Sequence, residues 1–213
     1  MSGAAGTVFV VDDDAGVRKA LTRLLRASGH EVRAYASPRE FLGAHDPAEP
    51  GCLVLDVALP QQSGLDFQIE LAASGNERPV VFISGQGDIP TSVRAMKAGA
   101  VDFLTKPFDE GELLAAVQAA MDRDARAREV RAERRRVGDR LAKLTSRERE
   151  VLEHVVAGRL NKHIASSLGT VEKTVKVHRG RIMRKMGATS LVELVRMADL
   201  AGVQPAPAQP HAP

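Results

Sequence analysis

The sequence predicts an α/β domain built on a doubly wound parallel sheet of five strands, followed by a smaller all-helical domain. Three observations lead there. Between residue 7 and about residue 120, five short apolar runs alternate with stretches whose apolar residues recur at helical spacing, the pattern of strands and crossover helices. From residue 122 to 140 the composition changes abruptly, with 13 of 19 residues charged. After Leu141 the apolar residues recur only at helical spacing.

In chain order, the strands are expected at Thr7 to Val11, Glu31 to Tyr35, Cys52 to Asp56, Pro79 to Ser84 and Val101 to Thr105. Val17, Leu21, Leu24 and Leu25 carry the apolar face of the first helix. Ser37-Pro38-Arg39-Glu40 supplies a cap, a first-turn proline and a capping-box glutamate, and Asp109 with Glu112 repeats the logic before the last helix of the sheet domain. The charged stretch 122–140 lacks proline and reads as a solvated helix extending that last helix. Val130 and Val137, seven apart, are too few to define a coiled-coil seam. Thr145-Ser146-Arg147-Glu148 is a capping box opening a helix with Val151, Leu152 and Val155 inside and Gly158 at its end. A short helix from Lys162 to Leu168, a longer one from about Val171 to Met186 and a last one from Leu191 to Ala201 follow. The tail from Gln204 to Pro213 holds four prolines and is expected to be disordered. The domain limits are therefore 1–121, a linker 122–140, 141–202, and a disordered tail 203–213.

Charge divides the chain in the same way. Residues 1–121 hold 10 Lys/Arg against 16 Asp/Glu, net −6, whereas residues 122–213 hold 20 against 11, net +9. The basic half is the candidate for a polyanionic partner. No run approaches the roughly 18 consecutive apolar residues of a membrane helix, and no signal-peptide pattern opens the chain, so a soluble cytoplasmic protein is expected. The single cysteine, Cys52, sits in an apolar run without metal-ligand spacing and reads as a core residue.

In an open α/β sheet, ligands bind beyond the carboxyl ends of the strands. The charged residues fall there: Asp12, Asp13 and Asp14 after the first strand, Asp56 after the third, Ser84 after the fourth, and Thr105-Lys106-Pro107 after the fifth. Clustered carboxylates call for a cation, and a hard, oxygen-rich site suits Mg²⁺. A carboxylate can also attack phosphorus, so Asp56 is a candidate acceptor, with Lys106 neutralising charge and Ser84 bonding a phosphoryl oxygen. Asp14 reads as the cap of the first helix rather than a ligand.

This ensemble resembles the receiver domain of two-component response regulators, a flavodoxin-like fold, over essentially all of residues 6–120. The matching residues are Asp12 and Asp13, Asp56 in Leu55-Asp56-Val57-Ala58-Leu59-Pro60 with Gly64 following, Ser84, and Lys106-Pro107. The resemblance implies Mg²⁺ held by Asp12, Asp13, Asp56 and the backbone carbonyl of Ala58, a switch hydroxyl at Ser84, and a cis peptide before Pro107. It also implies that Phe103 is the aromatic that turns inward when Ser84 moves.

Residues 141–202 resemble the LuxR-type helix-turn-helix of the FixJ/NarL subfamily. The likeness rests on Leu144-Thr145-Ser146-Arg147-Glu148, Val151-Leu152, Asn161-Lys162-His163-Ile164-Ala165, Leu168-Gly169 and Lys173-Thr174-Val175-Lys176-Val177-His178-Arg179. At about 100° per residue, Val171, Val175, Ile182 and Met186 share one stripe, with Lys173, Lys176, Val177, Gly180 and Arg184 opposite. A helix buried on one side and basic on the other suits a DNA major groove. Lys173, Lys176 and Val177 are assigned to base edges, and Lys162, Thr174, His178, Arg179, Arg181 and Lys185 to phosphates. Two positions depart from the family's pattern: Gly180 removes a groove-facing side chain, and Val171 stands where a hydroxyl often caps the helix, so that Thr170 caps one residue earlier or the helix starts uncapped.

Together the two resemblances imply a DNA-binding transcriptional regulator, phosphorylated on Asp56 by a sensor histidine kinase. They further imply a homodimer when phosphorylated, double-stranded promoter DNA and RNA polymerase as partners, and no membrane. Beyond transfer of phosphate to itself and slow loss to water, no enzymatic purpose is expected. The alternative is a phosphorylation-independent regulator whose receiver serves only as a dimerisation module.

Overall fold

The computed structural model describes residues 6–85 and 88–207. They form two compact units, residues 1–128 and 129–213 by chain position, and the division falls inside one helix.

In the first unit, strands β1 (Thr7–Val11), β2 (Glu31–Tyr35), β3 (Gly51–Asp56), β4 (Val80–Ser84) and β5 (Asp102–Thr105) form one sheet in the order β2-β1-β3-β4-β5, all pairs parallel. Helices α1 (Ala15–Ala27), α2 (Pro38–Ala44), α3 (Gly64–Ala73), α4 (Ile89–Lys97) and the first part of α5 (Glu110–Ala142) cover it. A strand alternates its side chains between faces, and the two cores follow that alternation. Val8, Val10, Cys52, Val54, Val81 and Ile83 pack with Leu21 and Leu25 of α1 and Leu113 and Val117 of α5. Phe9, Val11, Leu53, Leu55, Val80 and Phe82 pack with α2, α3 and Ala95 of α4. Because β1, β3 and β4 are buried on both faces, they read as continuous apolar runs. The edge strand β2 instead exposes Glu31 and Arg33, charges that discourage pairing with another chain. Cys52 is fully buried, which pushes its thiol up to about 12 and makes it a core residue.

The helix starts use the local chemistry of the sequence, with one variation. Ser37 Oγ accepts from the Glu40 N–H at 3.2 Å, while the Glu40 carboxylate accepts from Ala36 N–H rather than from Ser37. Asp14 caps α1, accepting from Gly16 and Val17.

Helix α5 continues without a break through the charged stretch, yet that stretch is not solvated throughout. Asp124 is buried; its carboxylate accepts from Gly51 N–H at 2.9 Å and from Arg128 Nε at 2.6 Å, and Arg128 also donates to the carbonyls of Ala48 and Glu49. These bonds fix the start of β3, where Gly51 has φ +149° and a Cβ would fall 1.9 Å from the Thr7 carbonyl oxygen. At the other end, Val137 is buried in the core of the second unit while Val130 is half exposed. The two valines therefore do not share a seam.

The second unit packs the end of α5 with α6 (Ser146–Val156), α7 (Asn161–Ser167), α8 (Glu172–Met186) and α9 (Leu191–Leu200). Val151, Leu152, Ile164, Val175, Ile182, Met186, Leu194 and Ala198 fill its core. The expectation of a disordered tail fails for residues 203–207. Val203 packs on this core, Ala206 N–H donates to the Glu153 carbonyl at 3.1 Å, and Arg159 bonds the Pro207 carbonyl. The rest of the tail, 208–213, lies outside the described residues.

Candidate functional sites: a strand-end carboxylate pocket and a basic helix

The carboxyl ends of β1, β3, β4 and β5 meet at one edge of the sheet. Asp12 and Asp56, both nearly fully buried, are joined by one cation: Lys106 Nζ donates to Asp12 Oδ2 at 2.9 Å and to Asp56 Oδ1 at 2.8 Å. Burial alone would lower the Lys106 pKa, but hydrogen bonds to Asp56 and Asp12 outweigh it and raise the ammonium above its ordinary value. The remaining carboxylate oxygens are also oriented, Asp56 Oδ2 by the Ala58 N–H at 2.7 Å and Asp12 Oδ1 by the Asp14 N–H at 2.8 Å. Arg18 holds the Asp12 carbonyl at 2.7 Å.

The loop after Asp56 is drawn back tightly. Gly64 N–H donates to the Val57 carbonyl, and a Cβ at Gly64 would fall 2.3 Å from the Asp56 carbonyl oxygen, so only glycine fits there. Ser84 is buried at the end of β4, where its carbonyl accepts from Lys106 N–H at 2.7 Å. The Lys106–Pro107 peptide is cis. Phe103 pairs with Phe82 across the β4–β5 ladder, is half-buried, and lies with its ring centroid 6.3 Å from that of Phe82.

The structure thus brings together Asp12, Asp56 and Lys106. Asp13, next in the chain after Asp12, is exposed and lines a cleft of about 140 Å³ with Ser37, Leu59 and Gln61. Among the described residues no three His, Cys, Asp or Glu side chains gather at metal-binding distance. Two buried, oriented carboxylates still match a small hard cation that keeps several waters and binds through one or two carboxylates.

In the second unit, α8 presents Lys173, Lys176, Val177, Gly180, Arg181 and Arg184 to solvent and buries Val175, Ile182 and Met186. Thr174, His178 and Arg179 lie at the margin, and Lys162 is exposed on α7. Val171, expected on the buried stripe, is 64% exposed, because it is the N-cap residue and not part of the helix; α8 starts without a side-chain cap. A Cβ at Gly180 would meet open space, so the side is free for a partner to approach.

Lys185 differs from the other basic residues of α8. Its ammonium donates to the buried Glu148 Oε2 at 2.6 Å and to the Lys143 carbonyl at 3.1 Å. Glu148 also completes the capping box of α6 with Thr145, and the Lys185 hydrogen bond holds its carboxyl below the ordinary range. Sequence reading saw Glu148 only as a cap, since nothing local signals a partner 37 residues away.

Comparison with known proteins agrees on both halves. Residues 8–118 match the family described as response regulator receiver domain, and residues 142–198 the bacterial regulatory proteins of the luxR family. Nodulation protein W of Bradyrhizobium diazoefficiens is 49% identical over 196 residues, covering 92% of this chain and 86% of that protein. The transcriptional regulatory protein FixJ of Azorhizobium caulinodans is 49% identical over 199 residues, covering 93% and 94%. Among solved structures, the response regulator StyR aligns with a TM-score of 0.81 at 45% identity, covering 92% of this chain and 99% of that one. Full-length FixJ from B. japonicum aligns with a TM-score of 0.57 at 38% identity, covering 94% and 98%.

Proposed function

Because this chain belongs to the FixJ/NarL-type two-component response regulators, which join a receiver to a LuxR-type helix-turn-helix, it is a DNA-binding transcription regulator, and we propose that phosphorylation of Asp56 switches it. Both matched families are regulatory rather than enzymatic. The observation that carries the reading is the Lys106 ammonium set between two buried carboxylates, 2.8 Å from Asp56 and 2.9 Å from Asp12.

In this reading an Asp56 carboxylate oxygen attacks the phosphorus of a donor, a phosphohistidine of a sensor kinase or acetyl phosphate. The new P–O bond forms as the bond to histidine nitrogen or to acetyl oxygen breaks, and its electron pair leaves with the donor. Lys106 holds Asp56 in place and faces the incoming negative charge, and Ser84 supplies a hydroxyl to a phosphoryl oxygen. Asp12, Asp13, Asp56 and the Ala58 carbonyl would hold Mg²⁺, which when bound neutralises charge on the transferring group. Asp14 remains a helix cap.

The apolar groove of about 490 Å³ between α1 and Lys106-Pro107-Phe108, beside the site, suits docking of the kinase. On α4, Ile89, Val93 and Met96 are exposed at helical spacing, which supports dimerisation of the phosphorylated form through α4, β5 and α5. Lys173, Lys176 and Val177 read base edges, while Lys162, Thr174, His178, Arg179 and Arg181 contact phosphates. We further propose contact with RNA polymerase at the promoter, which the membership of the transcriptional response regulators supports. Membership of the response regulators supports action in the cytoplasm; no helix among the described residues is long and apolar enough to cross a membrane.

The experiment is labelling. Mg²⁺ with acetyl phosphate is expected to add one acid-stable, base-labile phosphoryl group per chain, and Asp13→Ala to weaken Mg²⁺ affinity and slow the reaction. Failure of the wild-type chain to be labelled would remove the proposed switch, and unchanged Mg²⁺ affinity in Asp13→Ala would remove Asp13 from the metal set.

A further inference from the structure

We infer that Lys185 is a positioning residue for DNA recognition rather than a DNA contact: with Glu148 and Arg140 it clamps the C-terminal end of α8 and so sets where the reading residues of that helix point. The inference rests on α8 being the recognition helix, and it changes the role of one residue on it.

The geometry carries it in three steps. First, Lys185 is committed. An ammonium has three N–H donors, and here two of them are used, on Glu148 Oε2 at 2.6 Å and on the Lys143 carbonyl at 3.1 Å. Second, the commitment is costly to break. Glu148 is 2% exposed, and among the described residues its Oε2 otherwise accepts only from Thr145 N–H at 2.8 Å. Swinging Lys185 out to a phosphate would leave a buried carboxylate without its counter-charge, which is strongly unfavourable. Third, the same helix end is fastened again. Arg140 Nη1 donates to the Met186 carbonyl at 2.9 Å, placing a cation at the negative end of the helix. Gly187 ends α8 at φ +67°, and a Cβ there would lie 3.2 Å from Arg140 Nη1. At the N-terminal end, Val171 makes no side-chain cap bond.

A helix held at one end acts as a lever. Lys176 lies nine residues from Lys185, about 13 Å along the axis at roughly 1.5 Å per residue. A tilt of about 5° at the clamp therefore moves Lys176 by about 1 Å, enough to turn a hydrogen bond of about 2.9 Å into a gap. Base readout depends on that distance, while phosphate attraction falls off gently. Loss of the clamp is thus expected to harm discrimination and to spare general DNA affinity.

The test uses the full-length chain and two duplexes of equal length, one selected by the wild-type chain from a random library and one of random sequence, across a salt series. For Lys185→Met the expected result is a loss of about tenfold or more on the selected duplex, with random-duplex affinity nearly unchanged and the salt dependence retained. Lys185→Arg is expected to restore discrimination. Glu148→Gln is expected to lose it likewise, although that variant gains positive charge, and the double variant to be no worse than either single one. Circular dichroism confirms that each variant is folded; should Lys185→Met not fold, Glu148→Gln and Lys185→Arg carry the comparison. The inference is overturned if Lys185→Met weakens both duplexes equally and lowers the salt slope by about 0.9, the value of one lost phosphate contact. It is equally overturned if Glu148→Gln keeps full discrimination. A Lys173→Ala/Lys176→Ala double variant serves as the control on the helix itself: discrimination intact in that variant means α8 does not read DNA, a failure of the functional assignment rather than of the clamp.

Discussion

Replacing Asp56 by Asn is expected to abolish phosphorylation of the chain. The amide is nearly isosteric with the carboxylate and can keep a hydrogen bond to the Ala58 N–H through its oxygen, but it has no anionic oxygen to attack phosphorus. It also cannot sustain the charge pairing that holds Lys106 2.8 Å away. Asp12 remains buried beside Lys106, so the loss is not compensated by moving the reaction to the neighbouring strand end, where the carboxylate is oriented by Asp14 and Lys106. Phosphorylation is measured by mass shift and hydroxylamine lability after treatment with Mg²⁺ and acetyl phosphate. A labelled Asn variant at wild-type yield would move the acceptor elsewhere and dissolve the proposed site.

The second large effect is expected on DNA. Lys176→Ala should cost about 1–3 kcal/mol on the selected sequence and relax preference at one base pair, the amount typical of a bidentate contact to guanine. Lys162→Ala, on α7, should weaken every sequence alike and flatten the salt dependence. The contrast follows from placement: Lys176 shares the exposed side of α8 with Lys173 and Val177, opposite the buried Val175, Ile182 and Met186. Binding isotherms on matched and random duplexes separate the two classes, and equal losses for Lys176→Ala on both would assign it to the backbone.

Much of this was legible in the sequence because the signals are local. The five strands lie within one residue of their expected limits, since a strand buried on both faces must be a continuous apolar run bounded by turns. The pocket was legible for the same reason: Asp12, Asp56, Ser84 and Lys106 are each fixed by the end of a strand, and parallel strands end on one edge. What escaped depends on partners distant in sequence. The charged stretch after residue 121 reads as solvent-facing, yet Asp124 reaches Gly51 and Val137 enters the second core. Lys185 reads as one more basic residue on a basic helix, yet its partner is Glu148. Val171 fits the period of the buried stripe but lies one position before the helix begins, so the periodicity does not apply to it. The proline-rich tail reads as disordered, yet the Ala206 N–H donates to the Glu153 carbonyl, which also accepts from Ala157 in the last turn of α6.

The central claim, that phosphate on Asp56 controls DNA binding, is tested most directly by sedimentation of the full-length chain with a fluorescent selected duplex, before and after acetyl phosphate. A dimer reads two half-sites and adds their binding energies through a high effective concentration. The account predicts that phosphorylation raises the dimer fraction and the DNA-bound fraction in parallel, and that Asp56→Asn shows neither change. If the wild-type chain is fully phosphorylated and binds DNA no more tightly than before, the receiver is not a phosphate switch and the account is contradicted.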